Sequence, residues 1–168
     1  ETDKMYNNRR GDITLLINGL PLIHIELKAS GVEVEQATNQ IQKYVKEGVF
    51  TGLFNMVQVF FAITPEDSLY FANYGKWENA NSAFYFHWMT KDNKPIKDWR
   101  QLCKGPSQIL SIPEAHKLIG YYVVADKGKN VLKVLRSYQY YAINAIFNRV
   151  REHDWNTYEP LGGYIWCT

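Results

Sequence analysis

This chain of 168 residues has few cysteines, no long apolar run and little excess of charge of either sign. The two cysteines, Cys103 and Cys167, are too few for a disulfide framework and lack the close spacing of metal-binding pairs. No apolar run approaches the roughly 18 residues that a membrane span requires, and the first residues show no signal-peptide pattern. A net charge of +2 is too small to indicate nucleic-acid binding by itself. These absences favour a cytoplasmic protein without a membrane partner.

The residues that are abundant indicate a well-packed fold. A content of 46% hydrophobic and 15% aromatic residues is enough for one domain and the edge of a second. Glu1 opens on a polar segment without an initiator methionine, and Thr168 directly follows a strand-like run. We therefore expect the chain to be a piece of a longer polypeptide.

The stretch from Arg9 to Lys28 predicts two strands joined by a turn. Residues 13–17 and 20–27 are β-branched and apolar, and Asn18-Gly19 between them is a strong hairpin signal because both residues tolerate positive φ. Side chains alternate between the faces of a strand, so His24, Glu26 and Lys28 share one face of the second strand. The opposite face carries Ile23, Ile25 and Leu27.

Whether Asp12 joins Glu26 depends on the register of this hairpin. A two-residue loop would pair Ile17 with Leu20 and place Asp12 opposite Ile25, on the apolar face. A three-residue connection with a glycine bulge would instead set Asp12 opposite Glu26. We predict the second arrangement, or an Asp12 just beyond the strand end and turned inward.

Two carboxylates beside a lysine suit a hard cation such as Mg²⁺, with the lysine orienting a water molecule near a phosphate. The alternative is a surface Glu-Lys pair, which is common and contributes little to stability. The spacing alone favours this alternative, because any amphipathic strand can supply the pattern E-x-K.

The same residues resemble the nuclease motif D-(x)n-(D/E)-x-K of the restriction-endonuclease-like superfamily. More closely, residues 11–28 resemble the N-terminal nuclease domain of the restriction subunit of type I restriction-modification enzymes. The resemblance implies that Asp12, Glu26 and Lys28 are catalytic, and that Asp12, Glu26 and the Leu27 backbone carbonyl bind Mg²⁺. Gly11 departs from the superfamily, which often has proline there, but leaves these ligands intact.

A helix is predicted over residues 33–47, where Ala37, Ile41 and Val45 form an apolar stripe. Gln40 and Tyr44 match a Q-x-x-x-Y motif that follows the nuclease lysine in type I restriction subunits. The resemblance gives both residues a supporting role in holding DNA or the active site.

The remaining pattern predicts strands at residues 55–64, 68–73, 83–89 and 121–125, and a long helix at residues 136–152. The near-continuous apolarity of the first two strands indicates burial on both faces. We therefore predict an α/β fold with a restriction-endonuclease-like core, a mixed β-sheet flanked by α-helices.

The C-terminal part resembles the entry to the superfamily 2 helicase-like motor, through L-R-S-Y-Q-Y-Y-A-I-N-A-I and the later G-G-Y-I-W. This resemblance divides the chain into an endonuclease domain at residues 1–125 and the start of a RecA-like motor domain at residues 126–168. It makes Gln139 the residue that contacts the adenine of ATP in the full-length motor. The phosphate-binding loop of that motor is absent from the 168 residues, and Cys167 stands where the family usually has histidine.

Basic residues concentrate between Thr90 and Lys104, in addition to Arg9-Arg10, and form either a solvated loop or a rim that contacts phosphates. His24 shares the face of Glu26 and could touch a metal or a phosphate, although a solvated or hydrogen-bonded imidazole is the simpler interpretation.

Together, the resemblance implies a Mg²⁺-dependent endonuclease that cleaves double-stranded DNA within an ATP-dependent type I complex, alongside methyltransferase and specificity subunits. The alternative is a DNA-binding or docking module at the front of an ATP-dependent DNA translocase, without chemistry of its own.

Overall fold

A computed structural model describes residues 11–105, 107–158, 160 and 162–165. These residues form six strands and four α-helices, with short 3₁₀ turns at Gly52–Met56, Trp77–Asn79 and Ser82–Phe84. The elements are β1 (Ile13–Ile17), β2 (Leu20–Leu27), α1 (Glu35–Lys46), β3 (Val59–Ile63), β4 (Ser68–Ala72), α2 (Arg100–Cys103), α3 (Glu114–Tyr121), β5 (Val123–Asp126), β6 (Val131–Val134) and α4 (Ser137–Glu152).

The central sheet has four strands in the order β1-β2-β3-β4. Strands β2 and β3 are parallel because α1 returns the chain between them, whereas the other two pairs are antiparallel. Every residue of β3 is buried, as its uninterrupted apolar run predicts. The expected mixed sheet flanked by helices is confirmed.

Helix α1 covers one face of this sheet. Its buried residues Ala37 and Ile41 belong to the same apolar cluster as Phe60 and Phe71 of the sheet. The opposite face is covered by residues of the second half of the chain, which pack on Ile23 and Ile25. The buried members of this apolar cluster that come from the second half are Trp88, Ile96, Leu102, Ile109, Ala115, Leu118, Tyr122 and Val134. Strand β2 is therefore enclosed on both sides.

The hairpin of β1 and β2 corrects our prediction of its loop. The connection is the two-residue turn Asn18-Gly19, with φ of 51° and 80°, and Ile17 pairs with Leu20. The predicted three-residue connection is thus wrong, because two residues that both tolerate positive φ close the tighter turn.

A bulge inside the strands nevertheless produces the shifted register. Leu15 pairs with Ile23 and Leu16 with Pro21, so Leu22 is an extra residue on β2. Beyond the bulge Ile13 pairs with Ile25, and continuing this register by one residue sets Asp12 opposite Glu26.

Two predicted strands differ from the structure in the middle of the chain. The strand expected at residues 55–64 begins only at Val59, because residues up to Met56 form a 3₁₀ turn. Residues 83–89 form no continuous strand but two isolated bridges, one between Phe86 and Tyr70 and one between Met89 and Pro95. The Asn81 side chain accepts a hydrogen bond from the Ala83 N–H and favours a 3₁₀ turn at the start of this segment.

The C-terminal predictions are met in part. Helix α4 occupies the predicted residues, and β5 begins two residues later than expected because α3 extends to Tyr121. Residues 162–165 have neither helix nor strand. The rest of the strand-like run before Thr168 lies outside the described residues, as do Arg9, Arg10 and Cys167. The start of a RecA-like motor domain and a boundary between residues 125 and 126, which falls within β5, both stay predictions.

Among the described residues, no helix is long and apolar enough to cross a membrane.

Candidate active site

Asp12 lies immediately before β1, next to the end of β2. Its side chain is exposed, and its Oδ2 accepts a hydrogen bond of 2.7 Å from the Leu27 N–H. This bond turns the carboxylate toward the residues that follow Glu26, as expected for an Asp12 just beyond the strand end. Leu27 therefore positions Asp12 through its N–H, and the predicted use of its carbonyl as a metal ligand stays a prediction.

Glu26 is fully buried in the middle of the sheet, opposite Ala62 of β3. Its Oε1 lies 3.3 Å from Lys28 Nζ. A buried carboxylate without a partner would be strongly destabilising, so this contact with an ammonium group is a requirement of the fold as well as a feature of the site.

Lys28 follows β2, and its backbone N–H donates to the Ile63 carbonyl at 2.9 Å. Its ammonium group donates to Glu26 Oε1 and also to Gln40 Oε1 on α1. Gln40 Nε2 in turn donates to the Tyr44 hydroxyl at 2.5 Å, one helical turn further along. The structure thus links four of the predicted site residues in a continuous path, Glu26–Lys28–Gln40–Tyr44.

His24 completes the same face and is 3% exposed, which excludes a solvated imidazole. Its Nδ1 lies 3.3 Å from Thr14 Oγ1 on β1, and its ring meets Phe50 edge-on, with 5.1 Å between centroids. Its Nε2 lies 3.4 Å from Glu26 Oε2, within ion-pair distance, but the two atoms do not satisfy hydrogen-bond geometry.

Gly11 explains how this imidazole fits. A Cβ built on Gly11 would lie 2.7 Å from His24 Cε1, closer than side-chain carbons normally approach other atoms. A residue with a Cβ at position 11, such as the proline of the superfamily, would therefore crowd the buried His24 ring, and glycine avoids this contact. The i, i+2 spacing predicted that His24 shares a strand face with Glu26, but sequence reasoning missed the contact between His24 and Gly11.

The donor set fits a hard cation. Glu26 Oε2 is a buried carboxylate oxygen without a hydrogen-bond partner, and Asp12 supplies a second carboxylate on the neighbouring chain segment. Within the described residues, no group of three or more His, Cys, Asp and Glu side chains could hold a metal ion. Mg²⁺ commonly uses only one or two carboxylates and takes its other ligands from water and substrate phosphate.

Gln139 has a structural role at the start of α4. Its Oε1 accepts a hydrogen bond of 2.9 Å from the Arg136 N–H, which satisfies an N-terminal backbone group of the helix. The structure does not bring Gln139 into the path that links Glu26 to Tyr44.

This arrangement of two carboxylates and an oriented lysine on a mixed sheet is typical of a nuclease domain. In agreement, residues 3–79 match the family described as "Type I restriction enzyme R protein N terminus". Residues 3–79 therefore carry a domain of this family.

Individual relatives extend the similarity over most of the chain. It is 32% identical over 162 residues to the endonuclease subunit of the type I restriction enzyme SauCOLORF180P of Staphylococcus aureus, a match that covers 95% of the chain. It is 33% identical over 159 residues, again 95% of the chain, to the SsaAORF53P endonuclease subunit of Staphylococcus saprophyticus. Against the EcoprrI endonuclease subunit of Escherichia coli the identity is 35% over 147 residues, or 84% of the chain. The chain spans 16% of the length of each staphylococcal relative and 45% of the Escherichia coli one.

Proposed function

We propose that this chain is the nuclease part of a type I restriction subunit and cleaves double-stranded DNA by Mg²⁺-dependent phosphodiester hydrolysis. The observation that carries the proposal is the position of Lys28, whose ammonium group bridges the buried Glu26 carboxylate and the Gln40 amide. The relatives, which are named type I restriction enzyme endonuclease subunits, support it.

In this proposal Asp12 and Glu26 bind Mg²⁺, with the Leu27 carbonyl as a further ligand. When bound, Mg²⁺ polarises a phosphate oxygen and lowers the pKa of a bound water molecule. Asp12 is held in place for this role by the Leu27 N–H, and Glu26 by the sheet that surrounds it.

Lys28 has one donor left for the reaction. Its ammonium group carries three N–H bonds, and the contacts with Glu26 and Gln40 use two of them. The side chain is 22% exposed, so the third N–H can reach a phosphate oxygen or the attacking water. Gln40 and Tyr44 fix the direction of this donor without taking part in bond breaking.

DNA binding would draw on the basic segment between Thr90 and Lys104. Lys91, Lys94 and Lys97 are exposed, whereas Arg100 donates from Nε to Asp98 Oδ1 at 3.0 Å. Replacing the three lysines by alanine should therefore weaken DNA binding and lower the slope of log affinity against log salt by about one per lost phosphate contact. A salt titration by fluorescence anisotropy measures this slope. An unchanged slope would mean that these three lysines face solvent and do not contact DNA phosphates.

The wider context is part of the same proposal. The nuclease would act in the cytoplasm, in a complex with methyltransferase and specificity subunits that supply sequence recognition. ATP would drive translocation by the motor of the full-length subunit, where Gln139 would contact adenine.

The decisive experiment compares wild type with Lys28→Ala in the complete restriction complex, with Mg²⁺ or with EDTA. Loss of a preorganised charge that stabilises the transition state should slow DNA cleavage by about 10²–10³-fold and leave ATP-driven translocation intact. Lys117→Ala, which removes a surface lysine paired with Glu114, is the matched control and should cleave at the wild-type rate. Unchanged cleavage in Lys28→Ala would instead favour the alternative of a docking module without chemistry.

A further inference from the structure

Two buried polar atoms face each other beside the proposed catalytic residues and lack hydrogen-bond partners. They are His24 Nε2 and Glu26 Oε2, which lie 3.4 Å apart. Because their residues are 3% and 0% exposed, water cannot readily satisfy either atom. An arrangement of this kind is costly unless another group provides what the two atoms need.

The surroundings of His24 hold its ring in this orientation. Nδ1 faces Thr14 Oγ1, the ring edges meet Phe50 and Phe60, and the absence of a side chain at Gly11 leaves room for Cε1. A neutral imidazole that donates from Nδ1 to Thr14 has its lone pair on Nε2, directed to the side of Glu26. A nitrogen lone pair then stands next to a carboxylate oxygen, and a cation is the group that satisfies both.

We propose that His24 Nε2 and Glu26 Oε2 together bind one divalent metal ion, so that the site prefers a transition-metal ion such as Mn²⁺ to Mg²⁺. The inference rests on the proposed function, since Glu26 is one of the metal ligands of that proposal.

The geometry is suitable for shared coordination. With metal–ligand bonds of about 2.1–2.2 Å, two ligand atoms 3.4 Å apart subtend roughly 105° at the ion, between the octahedral and tetrahedral angles. Mg²⁺ prefers oxygen ligands and tolerates imidazole poorly, whereas transition-metal ions accept both. In the part of the chain that the structure describes, Asp12 does not already complete a three-residue site with these two side chains, so Asp12 would have to approach the ion on binding, and backbone or substrate oxygens would supply the remaining ligands.

The test is Mn²⁺ binding to the chain. A titration measures the affinity, and pulsed electron paramagnetic resonance detects nitrogen bound to the ion. Wild type should show coupling to one imidazole nitrogen. His24→Phe keeps the ring packing but removes the nitrogen, so the coupling should vanish and Mn²⁺ affinity should fall at least about tenfold. Mg²⁺ affinity, measured by competition, should fall by much less. His116→Phe removes an exposed histidine and is the matched control.

A second variant guards against misfolding of His24→Phe. Gly11 does not adopt positive φ, so Gly11→Ala is compatible with the backbone, but its Cβ must displace the His24 ring. The nitrogen coupling and the Mn²⁺ affinity should both decrease although no ligand is removed.

Persistent coupling in His24→Phe, or Mn²⁺ affinity within twofold of wild type, would overturn the inference. Glu26→Gln separates this failure from failure of the proposed function. If Glu26→Gln abolishes metal binding and His24→Phe does not, only the role of His24 is wrong. If wild type binds neither metal ion, the metal site of the proposed function is wrong as well.

Discussion

Replacing Lys28 by methionine tests the path of contacts around Glu26 without any DNA. The substitution keeps most of the alkyl chain and removes the ammonium group, so the fully buried Glu26 carboxylate loses its nearest cation. Breaking a buried ion pair by removing one partner costs roughly 3–5 kcal/mol. Lys28 is 22% exposed, and water reduces this cost, so we expect a loss of about 2–3 kcal/mol in the free energy of unfolding.

The assay is urea unfolding in EDTA, supported by a thermal melt. For a chain of 168 residues, a loss of this size lowers Tm by about 4–12 °C. The Lys117–Glu114 pair provides the control, because it is shorter, at 2.7 Å, but its lysine is 41% exposed. Lys117→Met should therefore cost less than about 1 kcal/mol.

The burial of the ion pair, and not the distance between its nitrogen and oxygen atoms, determines which of the two lysine substitutions costs more stability. If Lys28→Met changed the unfolding free energy by no more than Lys117→Met, the carboxylate of Glu26 would not depend on Lys28, and the argument would be refuted. Adding Glu26→Gln to Lys28→Met should recover part of the lost stability, because the unpaired charge is then gone.

Three further predictions concern other parts of the chain. Gln40→Ala removes an acceptor of the Lys28 ammonium group, so DNA cleavage by the complete complex should slow about tenfold, whereas ATP-driven translocation should not change. Gly19→Ala places a Cβ on a residue with φ of 80°, so urea unfolding should show a loss of about 1 kcal/mol; an unchanged midpoint would argue against the two-residue turn. Burial acts to raise the pKa of Glu114, but hydrogen bonds from Lys117 and Tyr140 leave it below the ordinary value. The stabilisation from this lowered pKa is complete above the unfolded-state pKa of about 4.3 and is lost as pH falls through the folded-state value. Glu114→Gln should therefore lose less stability than wild type between pH 6 and pH 3, as measured by urea unfolding at each pH, and parallel losses would contradict the assignment.

Local patterns in the sequence predict the part of the fold that carries the site. The β-branched runs around Asn18-Gly19 predict both strands of the hairpin, and the spacing of Ala37 and Ile41 predicts the buried side of α1. The side-chain face shared by Glu26 and Lys28 follows from the period of the strand alone. These features depend on interactions within a few residues, which is why the sequence suffices.

Features that depend on distant contacts were predicted poorly. The bulge at Leu22 has no glycine, and the neighbouring Pro21 indicates an irregular strand without fixing the position of the extra residue. The buried state of His24 requires Phe50 and Phe60, which come from other parts of the chain. The strand expected around Phe86 was wrong because the alternation of large side chains there serves packing on Tyr70 and not continuous pairing.

The extra residue at Leu22 is what allows a two-residue turn and an Asp12 opposite Glu26 to occur in the same hairpin. Deleting one residue of β1 between Asp12 and Leu15 would leave the Asn18-Gly19 turn intact, yet would move Asp12 by one position, to a place opposite Ile25 and on the other side of the sheet. The loss of one codon in β1 would in this way disarm the protein while most of its core still assembles.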